Sequence, residues 1–156
     1  MSDLPPYEDA GARALVDLHA RHLREFIATW KRAQAAGVTL PATDDPSYAS
    51  MDALLRHVLR AARGYMTWIC QKLELPAPNI DATPGDDAIA AEVDRYTEHV
   101  LAGWREPLRG VAHERIDMGT YPSRWGPEYC IDAMLEHAVM HPIRHTYQLE
   151  ALMTRG

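Results

Sequence analysis

The sequence predicts an all-α protein, an antiparallel four-helix bundle. Apolar residues recur at helical spacing in four long segments, and Pro/Gly-rich stretches separate those segments. Strand-like alternation is nearly absent, and there is no internal repeat or low-complexity segment. A length of 156 residues suits a single domain, 1–156, around one core.

The first helix is expected from about Glu8 to Ala36, after "LPPY" and before Gly37. Leu15, Leu18, His22, Phe26 and Trp30 fall at helical spacing along it. The stretch "GVTLPATDDPSY" reads as loop by its Gly, Pro and Asp content. A second helix opens near Ser47 or Ser50, either of which can cap it. It carries Leu54, Val58, Ala61, Tyr65, Trp68 and Ile69 on one side and ends near Leu75. "PAPNIDATPGDD" is the next loop. The third helix is expected from about Asp86 to Leu108, with Ile89, Val93, Tyr96, Val100 and Trp104 as its apolar stripe. Asp86 and Asp87 at its start suit the positive end of the helix dipole. "RGVAHERIDMGTYPSRWGP" reads as a long irregular connection, of a kind that often serves or covers a site. The fourth helix is expected to begin near Pro127, a good first-turn residue, and to run towards Met153.

The formal net charge of −6 argues against a nucleic-acid partner, which requires a basic face, and against an anionic membrane surface. No apolar run approaches a bilayer span, and the first residues show no basic-then-apolar leader, so a cytoplasmic location is expected. Cys70 and Cys130 are far apart and form no CxxC pair; both read as reduced, small buried hydrophobes.

The chemistry-bearing segment is "MLEHAVMHPIRHTYQL", residues 134 to 149. His137, His141 and His145 recur every fourth residue and form a stripe on the apolar side of the last helix. Buried imidazoles need partners, and a divalent ion is one; two histidines four apart can supply two nitrogens to it. Hydrogen bonds to Tyr, Glu or backbone groups are the other way to satisfy them. Three in a row cannot all reach one ion, because the outer two are roughly 12 Å apart along the axis. His57 lies near the apolar face of the second helix, so it can face an HxxxH pair and complete a three-histidine cap with a coordination position open. Taken alone, it reads as a satisfied core histidine. His19 and His22 are reserve ligands on the first helix, and His99 and His113 have no assigned role. Pro142 removes one backbone hydrogen bond and crowds the Ala138 carbonyl, at about 3 kcal/mol. It is expected either to break the helix locally and re-aim a histidine or simply to bend the helix around the core.

Two segments, "LLRHVLRAARGYMTWI" and "HAVMHPIRHTYQLEAL", together with their order and separation, resemble the DinB-like (damage-inducible, YfiT-like) metalloprotein family over nearly the whole chain. The resemblance implies a four-helix bundle that holds a divalent ion, zinc or nickel among others, through three histidines. By position these are His57, His141 and His145. His137 then lies one turn before the pair, lining the site, and Gln148 matches a recurrent glutamine that supports a ligand. Pro142 between the two ligands departs from the commonest form of the motif. Members of that family include thiol S-transferases using bacillithiol or mycothiol and a mycothiol-dependent maleylpyruvate isomerase. The implied activity is therefore S-transfer from a small-molecule thiol to a small electrophile.

Two alternatives stand beside it. One is a metallohydrolase using metal-bound hydroxide, for which His137 or Glu136 is the nearby base, although Glu136 falls off the stripe. The other is a non-catalytic, stress-related metal-binding bundle, open to homodimer formation. Arg124 and Arg144 read as carboxylate anchors or as surface charge. Tyr121, Trp125 and Tyr129 read as pocket walls or as core.

Overall fold

Each long helix begins where a short polar side chain or a turn stops the extended backbone. Asp9 is extended and accepts from the Ala12 amide at 2.6 Å, which caps α1, Ala10–Ala35. The computed structural model describes residues 3–155. A 3₁₀ turn, Pro46–Tyr48, is capped by Asp45, and Ser50 accepts from the Ala53 amide at 3.0 Å to open α2, Met51–Lys72. Of the two serines proposed from sequence, Ser50 is therefore the cap, and Ser47 lies in the preceding turn. α3 is Ile89–Trp104, α4 is His113–Asp117 and α5 is Ile131–Arg155. β1 (Tyr121–Pro122) pairs antiparallel with β2 (Glu128–Tyr129), Tyr121 opposite Tyr129.

The protein is mostly helical, as expected, with three corrections. α3 starts at Ile89 rather than Asp86, because residues 86–88 are spent in a turn closed by the Ala88 amide on the Gly85 carbonyl at 3.0 Å. The irregular connection contains α4 and a small hairpin, whose turn includes Gly126 at φ +113°, a conformation that favours glycine. Pro127 belongs to that hairpin, its carbonyl accepting from the Ser123 amide at 2.9 Å, so it does not open α5. Cys130 takes that position instead, its sulfur accepting from the Ala133 amide at 3.4 Å.

The four long helices share one core that includes Phe26, Leu55, Leu59, Met66, Ile69, Tyr96 and Leu135. α5 lies against α1 and α2, and α3 against α2 and α1. Two buried tryptophans tie the layers, because an indole N–H taken out of water needs an acceptor. Trp30 donates to the Met51 carbonyl (2.7 Å) and Trp104 to the Ala62 carbonyl (3.0 Å). Pro142 is buried inside α5, which continues as helix through it, so of the two readings of this proline the local break is not seen. No helix among the described residues is long and apolar enough to cross a membrane.

Candidate metal centre

α2 and α5 meet with their histidines facing one another. His57 comes from α2; His141 and His145, one turn apart on α5, point the same way. His141 Nε2 lies 3.0 Å from His57 Nε2. The ring centroids are 4.9 Å apart for His57 and His141, 5.3 Å for His57 and His145, and 4.8 Å for His141 and His145. One nitrogen from each of the three lies within 4.8 Å of the others, a cluster that can hold a metal ion. His141 and His145 are 8% and 2% exposed, and His57 is half-buried.

Their electrostatics favour the neutral, ligating form. Burial pushes His145 down to about 4, against the opposing hydrogen bond to Gln148. It pushes His141 lower still, with the other histidines adding to the effect, and lowers His57, which Asp45 partly offsets. The Gln148 carboxamide oxygen sits 2.8 Å from His145 Nδ1 and, being an acceptor, fixes the proton there. That leaves His145 Nε2 with a free lone pair, the arrangement usual in metal-ligating histidines. Two ring nitrogens at 3.0 Å are also close to the separation, about 3.3 Å, of two nitrogens on one tetrahedral zinc with bonds near 2.0 Å. The donor set thus fits a divalent ion.

The other sequence-predicted residues lie elsewhere. His137 is one turn before His141 on α5, outside the cluster, enclosed by Trp125 (stacked, 5.0 Å), Tyr65 (5.5 Å) and Tyr129 (5.7 Å). His19, a reserve ligand, is buried against Trp104, with ring centroids 3.8 Å apart and neither ring nitrogen hydrogen-bonded. His22, the other reserve, faces outward and pairs with Glu25 at 3.0 Å. Neither joins the cluster. His99 accepts from the Asp81 amide, and His113 pairs with Asp9 at 2.6 Å. Glu136 and Arg144 are exposed.

A cavity of about 480 Å³ borders His57, walled by Tyr65, Trp68 and Trp125 and edged by Arg56, Arg60, Arg63 and Arg124. Of the residues read from sequence as pocket walls or core, and as carboxylate anchors or surface charge, Trp125 and Arg124 line this cavity; Tyr121 packs on Trp68, at 6.2 Å. A second cavity, of about 440 Å³, is lined by Tyr48, Leu54, Tyr147 and Gln148 among others. Tyr48 lies 6.0 Å from the His145 ring.

Comparison with protein-family models, curated proteins and solved structures gives no match. The functional reading rests on the site. Sequence reasoning missed Tyr48, which follows a Pro/Asp-rich loop and approaches His145 only through the 3₁₀ turn. It also passed over Arg56, Arg60 and Arg63. Their signal was present as a basic stripe at positions i, i+4 and i+7 beside His57.

Proposed function

We propose that the chain is a DinB-like metalloprotein, an antiparallel four-helix bundle whose His57, His141 and His145 hold one zinc or nickel ion. We infer that it acts as a thiol S-transferase of the bacillithiol or mycothiol type on small electrophiles. The observation that carries this reading is the convergence of three neutral imidazoles from two helices, with a cavity of about 480 Å³ alongside. A divalent ion held by three histidines supplies Lewis acidity at an open position, which lowers the pKa of a thiol placed there.

The chain's own residues supply the rest. Gln148 orients His145, and the packing of α2 on α5 fixes His57 opposite His141. Tyr65, Trp68 and Trp125 give the cavity apolar walls of the kind that shield a metabolite from water. Of the chain's own thiols, Cys70 is buried and pushed up to about 11, which disfavours it as the nucleophile. The hydrolytic alternative gains no support from its two candidate bases, since Glu136 is exposed and His137 is stacked on Trp125.

The test is conjugation of monochlorobimane by the purified protein with bacillithiol or mycothiol, beside hydrolysis of p-nitrophenyl acetate. The expected result is thiol-dependent conjugation that His145→Ala and metal removal both abolish. Ester hydrolysis without thiol, or conjugation indifferent to both changes, would overturn it.

A further inference from the structure

We propose that the cavity beside His57 is an anion-binding site that takes a small molecule bearing two or more carboxylate or phosphate charges. Three arginines, Arg56, Arg60 and Arg63, project from one side of α2, and Arg124 reaches the same cavity from the hairpin. Four of the thirteen residues lining it are therefore guanidinium-bearing, in a chain whose net charge is −6. Like charges four apart on a helix repel, so such a cluster is not favoured by folding alone.

The arginines are placed rather than loose. Arg56 Nε donates to the Pro84 carbonyl at 2.9 Å, and Arg63 Nε to the Ile80 carbonyl at 3.1 Å. These bonds hold the stems against the loop before α3 and leave the terminal nitrogens for a ligand. Arg124 lies alongside α2, its Nη1 3.7 Å from where a Cβ on Gly64 would sit, an ordinary contact distance. Asp86, 3.7 Å from Arg56, forms the only ion pair made by any of the four among the described residues. Arg60, Arg63 and Arg124 have no carboxylate partner there. Guanidinium groups bind carboxylate and phosphate through paired N–H donors, which is the chemistry this wall offers. The cavity's volume suits a metabolite rather than a polymer. The second cavity offers no such wall, with Arg155 its single cation.

Because His57 lines the same cavity, a bound dianion lies beside the three histidines. Its role as a substrate rests on the metal reading above; its binding does not. The probes are succinate and glycerol 3-phosphate, with butane-1,4-diol and glycerol as uncharged counterparts. Binding is measured by calorimetry and by the fluorescence of Trp68 and Trp125 on the full chain as purified, with metal content measured in parallel. Saturable binding of at least one dianion and of neither neutral compound is expected, and the dianion preferred identifies carboxylate or phosphate as the recognised group. Arg60→Gln with Arg124→Gln, two side chains without hydrogen-bond partners among the described residues, is expected to weaken it about tenfold or more. Arg21→Gln, exposed on α1, is expected to leave it unchanged. No saturable dianion binding, wild-type binding by the double variant, or equal loss in Arg21→Gln overturns the proposal. His145→Ala separates the two readings, because His145 does not line this cavity. Dianion binding by a wild-type protein that holds no metal sinks the metal reading alone. Metal loading without dianion binding sinks this one alone.

Discussion

His19→Phe is expected to remove a large part of the protein's acid sensitivity. His19 is enclosed in the core, stacked on Trp104 at 3.8 Å and 10°, with neither ring nitrogen hydrogen-bonded. Burial drives its pKa from 6.5 to about 3. A folded-state pKa below the unfolded value means that the unfolded chain binds the extra proton. The stability is therefore complete above 6.5 and falls as the pH drops through the window from 6.5 to about 3. At about pH 4.5 the chain is roughly two units into that window, and at about 1.4 kcal/mol per unit the loss is about 3 kcal/mol. Phenylalanine keeps a ring against Trp104 and does not titrate. It also adds volume and removes two unpartnered nitrogens, so its stability at one pH has no predicted sign. The change between two pH values isolates the titration. Urea unfolding of metal-free wild type and variant at about pH 7.5 and pH 4.5 gives four stabilities, and the cluster histidines contribute alike to both proteins. The wild type should lose about 3 kcal/mol more than the variant over this interval. An equal loss in the two proteins would refute the assignment of His19 as a buried neutral ring.

Gln148→Leu should weaken metal binding by about 10–100-fold, because it frees the His145 ring, and should lower the stability of the metal-free protein by about 1–3 kcal/mol, because it leaves a buried N–H unpaired. Competition with a chromophoric chelator measures the first and thermal unfolding the second. Gly103→Ala should cost about 1–3 kcal/mol, since the added Cβ runs into the Ile80 side chain, with Cδ1 at 2.8 Å. Ile80→Ala in the same chain should recover part of that loss in urea titrations. Asp9→Ala should cost about 0.5–2 kcal/mol through the lost cap on α1, together with the His113 contact.

What could be read in advance follows from which physical signal each element carries. α1 and α2 were placed within a few residues because their apolar stripes are long and their ends are marked by Gly37 and Ser50. The hairpin was invisible because two-residue strands are too short to show alternation. Pro127 misled for a related reason: a proline suits a hairpin turn as well as a first helical turn, and only the pairing of Tyr121 with Tyr129 separates the two. The stripe on α5 pointed to the right face, but spacing alone left open which pair of its three histidines would work together. The register of α2 against α5 decides it by putting His57 opposite His141 and not His137. The fate of His19 was not legible either, since a histidine at helical spacing with apolar residues looks the same whether it meets a metal or the flat face of Trp104. Long-range packing supplies that information, and no local pattern holds it.

The central claim is that His57, His141 and His145 grip one cation together. Elemental analysis of the purified wild type beside His57→Ala, His141→Ala, His145→Ala and His19→Ala tests it most directly. The account predicts about one divalent ion per chain in the wild type and in His19→Ala, and a large loss in each of the other three variants. Near-stoichiometric metal retained by His57→Ala, His141→Ala and His145→Ala alike would contradict it.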